Sequence, residues 1–186
     1  MDKRQKILEI SKDLGLSHIG SCLSVLPILE EIYSIKNSKD KVLLCGAHSH
    51  LAHLLFIDPD HAEEKIEKYG THCDIRAGCD ASGGSLGHLG IAVGMAIANP
   101  DITVWAITTD GSSNEGSELE AMRIKTELKL DNLKIIVNMN GYTAVQKIDR
   151  DELSKRLWAF CPDIDLRYTI NGEGFEGVQG HYIKIT

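Results

Sequence analysis

Between positions 108 and 142 the chain reads TTDGSSNEGSELEAMRIKTELKLDNLKIIVNMNGY, where a carboxylate and an amide each follow an apolar β-type run. Residues 103–108 lead into Asp110-Gly111, and residues 133–137 lead into Asn138, Asn140 and Gly141. Between them, residues 118–130 are good helix formers. Strand, helix and strand in that order make a parallel βαβ unit. Both polar ends then emerge at the carboxyl edge of the sheet, where open α/β folds take their ligands. One aspartate oxygen and one asparagine oxygen facing a common crevice suit a hard cation. Magnesium demands near-octahedral oxygen ligation and leaves several positions to phosphate and water. Asp110, the Asn140 side chain and the Tyr142 backbone carbonyl make a protein half-shell that a diphosphate would complete.

The same string resembles the thiamine-diphosphate motif of the transketolase family, with Asp110, Gly111, Glu115, Gly116, Glu120, Ala121 and Asn140 in register. Three further segments carry the likeness. LSHIGSCLS matches the family at His18, Gly20 and Ser24, with Ser17 in place of glycine. GAHSH matches at His48, with Gly46 and Ala47 replacing Lys-Gly. THCDIRAGCDASGGSLGHLG matches at His72, Gly84, Ser85, Leu86, Gly87 and His88, with Leu89-Gly90 reversing the expected order. Thr109 replaces the first glycine of Gly-Asp-Gly and adds a Cβ beside the expected diphosphate.

The resemblance implies a thiamine-diphosphate-binding fold: a three-layer α/β/α sandwich with a mostly parallel sheet, one domain over residues 1–186. It implies thiamine diphosphate and Mg2+ as cofactors, with the metal on Asp110, Asn140 and Tyr142. His48, Gly84, Ser85, Leu86, Asp110, Gly111, Glu115 and Asn140 would contact the cofactor, and His18, His48, His72 and Glu115 would be catalytic. The implied reaction moves a two-carbon ketol unit between sugars or sugar phosphates. The family's pyrimidine-binding and C-terminal domains have no counterpart in these residues, which implies a split enzyme with a separate pyrimidine-binding subunit, the whole forming an oligomer. Glu115 and Glu120 match family glutamates at the subunit contact, where their pKa values would be perturbed. By themselves they read as helix N-terminal acids favoured by the macrodipole. His181 does not match the family's tail histidine. Other readings are a degenerate, non-catalytic domain acting in binding or assembly, a subunit of another split thiamine enzyme such as a 2-oxoacid decarboxylase, and, more distantly, a nicotinamide-binding protein.

The elements that must position these residues follow from pattern. Helices are expected over residues 3–14, 23–35 with Ser24 as N-cap and Pro27 in the first turn, 60–69, 86–98 and 149–160, and another is expected to run to residue 57. Strands are expected at 42–45 and 166–170, and the family strand before the tail compares with residues 182–186. His50 and His53 share a helix face, but no third ligand follows at structural-zinc spacing, so they read as helix-face residues. Gly172, Gly174 and Gly177 spell G-x-G-x-x-G without the following helix, strand and acid of a dinucleotide site.

Composition bounds the rest. A chain of 186 residues makes a single domain that buries roughly 70% of its unfolded surface. Formal charge −7 without a basic cluster opposes a nucleic-acid partner. The five cysteines, odd in number and lacking a C-x-x-C pair, read as reduced thiols in a cytoplasmic chain. The charged opening, MDKRQKILEISKD, is unlike a signal peptide, and the longest apolar run, 91–98, is too short to span a bilayer, so a soluble protein is expected.

Overall fold

Three short apolar runs and the more polar segment DLRY become one parallel sheet. The structure, a computed structural model, describes residues 2–83 and 88–186. Strands β1 (Lys41–Leu44), β2 (Val104–Thr109), β3 (Leu133–Met139) and β4 (Asp165–Tyr168) lie side by side in sequence order. Ile107 pairs with Leu44 on one side and Ile136 on the other, and Thr109 pairs with Asn138, so the carboxyl ends of β2 and β3 finish together.

A parallel sheet needs helices on both faces, and its alternating side chains show two such layers. Val42, Leu44, Ile107 and Ile136 pack against α1 (Lys3–Asp13), α2 (Ile19–Ile35), α3 (His50–Ile57) and α4 (Ala62–Tyr69). Leu43, Ala106, Ile135 and Val137 face α5 (Leu89–Ala98), α6 (Gly116–Leu128) and α7 (Arg150–Phe160). The expected three-layer α/β/α sandwich is the architecture found. Among the described residues no helix is long and apolar enough to cross a membrane.

One helix starts earlier than its sequence suggests. Instead of opening at residue 23 under a Ser24 cap, α2 begins at Ile19, after His18 in the left-handed region at φ 62°. Ser24 is therefore interior and buried, donating to the Ser21 carbonyl at 3.1 Å and accepting from Asn138 Nδ2 at 2.9 Å. Pro27 sits well inside the helix, where it forfeits a backbone hydrogen bond. Burial compensates: Ile19, Leu23, Leu26, Leu29 and Ile32 all lie in the core, and packing outweighs local propensity.

Two other expectations change. Residues 182–186 form no strand; the chain after β4 makes a glycine-bearing loop and the short α8 (Gly177–Gly180). The helix expected from residue 86 is seen from Leu89, and Gly84, Ser85 and Leu86 lie outside the described residues.

Candidate functional site

The carboxyl edge of the sheet opens into a cavity of about 440 Å³. Asp110 follows β2 and Asn140 follows β3, and both are buried. The Asp110 carboxylate accepts the Gly111 N–H at 3.0 Å and, on its other oxygen, the Gly141 N–H. Burial pushes this carboxyl up to about 6, against those two hydrogen bonds and the nearby Arg150 guanidinium, which pull it down. Asn140 Oδ1 accepts the Tyr142 N–H at 3.0 Å, folding residues 140–142 into a tight turn. Gly141 takes φ +90° at its centre, and a Cβ there would meet the Arg150 guanidinium at 2.7 Å. A buried carboxylate, an amide oxygen and the Tyr142 carbonyl that follows the turn form an oxygen-rich donor set of the kind a hard cation takes. Gly111, Asn140 and Tyr142 line the cavity, and Glu115, exposed just before α6, stands on its rim. Glu120 is exposed and held by Arg123 at 2.6 Å, which lowers its pKa.

Opposite this donor set the histidines gather. His18 and His48 stack with ring centroids 4.0 Å apart, and His72 lies 4.6 Å from His48. His18 comes from the start of α2, His48 from a single 3-10 turn after β1, and His72 from the loop beyond α4. Burial, then the neighbouring rings of His18, His72 and His181, push His48 down to about 4. Burial also lowers His18 and His72, with adjacent histidines adding to it. These rings are therefore neutral near pH 7, able to donate and accept but not to act as cations. Buried Nδ1 atoms of His48 and His181 have no hydrogen-bond partner, and both residues line the cavity. Unsatisfied buried nitrogens facing a cavity are suited to a polar ligand.

Three residues and one contact lie outside the sequence expectations. His181, which fails to match the family tail, completes the ring cluster 5.9 Å from His18, and its carbonyl accepts the His18 N–H at 3.0 Å. Arg150 donates to the Asn140 carbonyl at 2.6 Å and braces the turn from behind. Gly46 and Thr109, separate departures in the sequence, are matched in space, since a Cβ on Gly46 would meet Thr109 Cγ2 at 2.3 Å. The added methyl of Thr109 occupies room that Gly46 leaves. Glu118 is wholly buried, accepting the Leu89 N–H at 2.8 Å and the Thr108 hydroxyl at 2.8 Å, with its pKa raised by that burial. An acid in a helix ordinarily reads as solvated, so only the contact between α5 and α6 reveals it.

No family model matches the chain, whereas curated relatives do. A subunit of the apulose-4-phosphate transketolase of Actinobacillus succinogenes is 34% identical to it, across 90% of this chain and 74% of the relative. The chain belongs to the transketolase family. A relative from Phocaeicola vulgatus, also named as an apulose-4-phosphate transketolase subunit, is 25% identical across 94% of this chain and 72% of its own length. The 1-deoxy-D-xylulose-5-phosphate synthase of Fusobacterium nucleatum is 34% identical over 74% of this chain, which spans only 24% of the synthase. A solved transketolase variant from Pichia stipitis shares the fold at TM-score 0.61 and 17% identity, matching 86% of this chain and 31% of that one. The segments through which the sequence resembles a transketolase, around His18, His48 and Asp110, meet at this one cavity.

Proposed function

We propose that this chain is the magnesium- and thiamine-diphosphate-binding subunit of a split transketolase-like enzyme that moves a two-carbon ketol unit between small sugars or sugar phosphates. The observation that carries the reading is the buried Asp110 beside the Asn140 turn, at the ends of adjacent parallel strands, with Gly111 and Asn140 lining the same cavity as His18 and His48. Asp110, Asn140 and the Tyr142 carbonyl would hold the metal, and Gly111 and Glu115 would border the diphosphate. Gly84, Ser85 and Leu86 are assigned to the cofactor rings from the sequence resemblance. Thiamine diphosphate, when bound, supplies the nucleophilic carbon and the electron sink for breaking and forming a carbon–carbon bond.

The chain's own groups bind, orient and move protons. His18, His48 and His72, neutral near pH 7, present imidazole nitrogens suited to sugar hydroxyls and to proton exchange at a carbonyl oxygen. His181 joins them by position. The exposed apolar pair Ala144-Val145 forms part of the cavity's lining at the surface. A separate polypeptide would bind the pyrimidine end of the cofactor, in keeping with relatives that are themselves named as transketolase subunits. Exposed Ile91 and Ile97 on α5 offer that partner an apolar face. Five free cysteines suit a reducing cytoplasm.

Calorimetric titration of thiamine diphosphate into the purified chain, with magnesium and then with EDTA, tests the reading. Binding should require magnesium and weaken at least about tenfold in Asp110→Ala, the loss expected for a charged ligand contact of roughly 1.5–3 kcal/mol. Absence of binding both to the chain and to its complex with a co-purified pyrimidine-domain polypeptide would end the enzyme reading in favour of a non-catalytic domain.

A further inference from the structure

His50 and His53 are not solvent-facing. Both are buried on the inner side of α3, and the loop beyond α4 brings Cys73 and Cys79, also buried, against them. Ligand atoms of His53, Cys73 and Cys79 lie within 4.8 Å of one another, with Cys79 Sγ 3.9 Å from His53 Nδ1. His50, on the same helix, stands outside that 4.8 Å group, but its Nε2 is buried, makes no hydrogen bond and is available as a fourth donor. Tetrahedral zinc with sulfur and nitrogen ligands sets neighbouring donors about 3.4–3.8 Å apart. The cluster is therefore close to coordination spacing.

The outer nitrogens of both rings are already engaged. His50 Nδ1 pairs with the Gly70 carbonyl at 2.8 Å, and His53 Nε2 pairs with the Tyr33 hydroxyl at 2.9 Å. Metal-bound histidines show this pattern, in which a second partner fixes the tautomer and turns the free nitrogen toward the ion. One nitrogen and two sulfurs within 4.8 Å of one another, with the unpaired His50 Nε2 buried on the same helix as a further donor, match the donor chemistry of structural zinc. A dication with two thiolates is neutral overall, which makes its burial feasible.

We propose that His50, His53, Cys73 and Cys79 form a structural zinc site that fastens the loop beyond α4 to α3. Zinc displaces the protons of both thiols, which leave to solvent, and forms bonds to the two thiolates and to one nitrogen of each histidine. The fastened loop includes His72, next to Cys73, and it closes through the Gly83 N–H to the Cys73 carbonyl at 3.0 Å. The metal thus positions the segment that leads into residues 84–87. Its four ligands are separate from the residues lining the cavity at the strand ends, so the site stands independently of the cofactor assignment.

The test uses the full chain, purified reduced, with zinc and then cobalt as probes. Elemental analysis should find about one zinc per chain, and cobalt should give the near-ultraviolet thiolate-to-metal band and intense visible bands of a tetrahedral site. Cys79→Ser should lower the thiolate band by about half, since one of two sulfurs is lost. Asp110→Ala should leave the band unchanged, because oxygen ligands do not produce it. In the wild-type chain, stripping the metal with a chelator should speed alkylation at Cys73 and Cys79 but not at Cys22, Cys45 or Cys161, a readout that needs no variant to fold. A reduced chain that neither retains zinc nor develops the band overturns the proposal. So does a full-strength band in a folded Cys79→Ser protein, or alkylation rates indifferent to the chelator.

Discussion

With ring centroids 4.0 Å from His18 and 4.6 Å from His72, His48 cannot take a proton without meeting a second imidazole at close range. Burial acts in the same direction, and together they bring His48 from 6.5 to about 4. In the unfolded chain these rings take up protons from about 6.5 downward, whereas folded His48 does so only near 4. The unfolded state then binds more protons across that window, so this residue's contribution to folding stability falls as pH drops through it. His18→Ala both hydrates His48 and removes a neighbouring charge, so the His48 titration should move up toward 6.5. Imidazole NMR across the acid range measures this directly. An unmoved His48 would mean that burial elsewhere, not the stacked ring, sets its protonation.

Strand ends carry the site, and their fit can be probed as a pair. Gly46→Ala places a Cβ 2.3 Å from Thr109 Cγ2, and such overpacking costs roughly 1–3 kcal/mol. Thr109→Ser removes that methyl while keeping the hydroxyl that accepts the Ser112 N–H at 3.1 Å, so in the Gly46→Ala background it should restore most of the loss. Thermal unfolding of the four proteins in the cycle decides it; strictly additive losses would contradict a direct contact. Much at this level is legible in the sequence. The apolar runs at β1 to β3, the spans of α1 and α7, and the convergence of Asp110 with Asn140 all follow from local pattern and parallel pairing. The start of α2 is not, because Ser24 has the chemistry of a cap and only burial of Ile19 and Leu23 shows that the helix is already under way. Gly46 with Thr109, and His53 with Cys73 and Cys79, are separated along the chain and become partners only when the strands and loops are in place. His181 gives no signal either, since it does not match the family's tail histidine and only the fold brings it beside His18.

For the molecule as a whole, α5 presents an uncovered side. Gly90 and Gly94 point there, and a Cβ on either would meet nothing within 4 Å, so the folded chain itself does not require glycine at these positions. Glycine inside a helix costs about 1 kcal/mol relative to alanine, which is understandable if another surface comes close. Gly94→Leu should leave the thermal midpoint of the isolated chain unchanged or raised while weakening assembly, seen by sedimentation and by co-purification of a partner polypeptide. Assembly at wild-type strength would place the docking face elsewhere. Glu118 gives that face a mechanical consequence. One of its oxygens holds the first amide of α5 and the other holds Thr108, just upstream of Asp110 on β2. On the proposed reading, with a partner on α5 and Asp110 on the metal, docking and cofactor capture would be geared through a single carboxylate: a load that tilts the helix would be delivered to the strand that leads into Asp110.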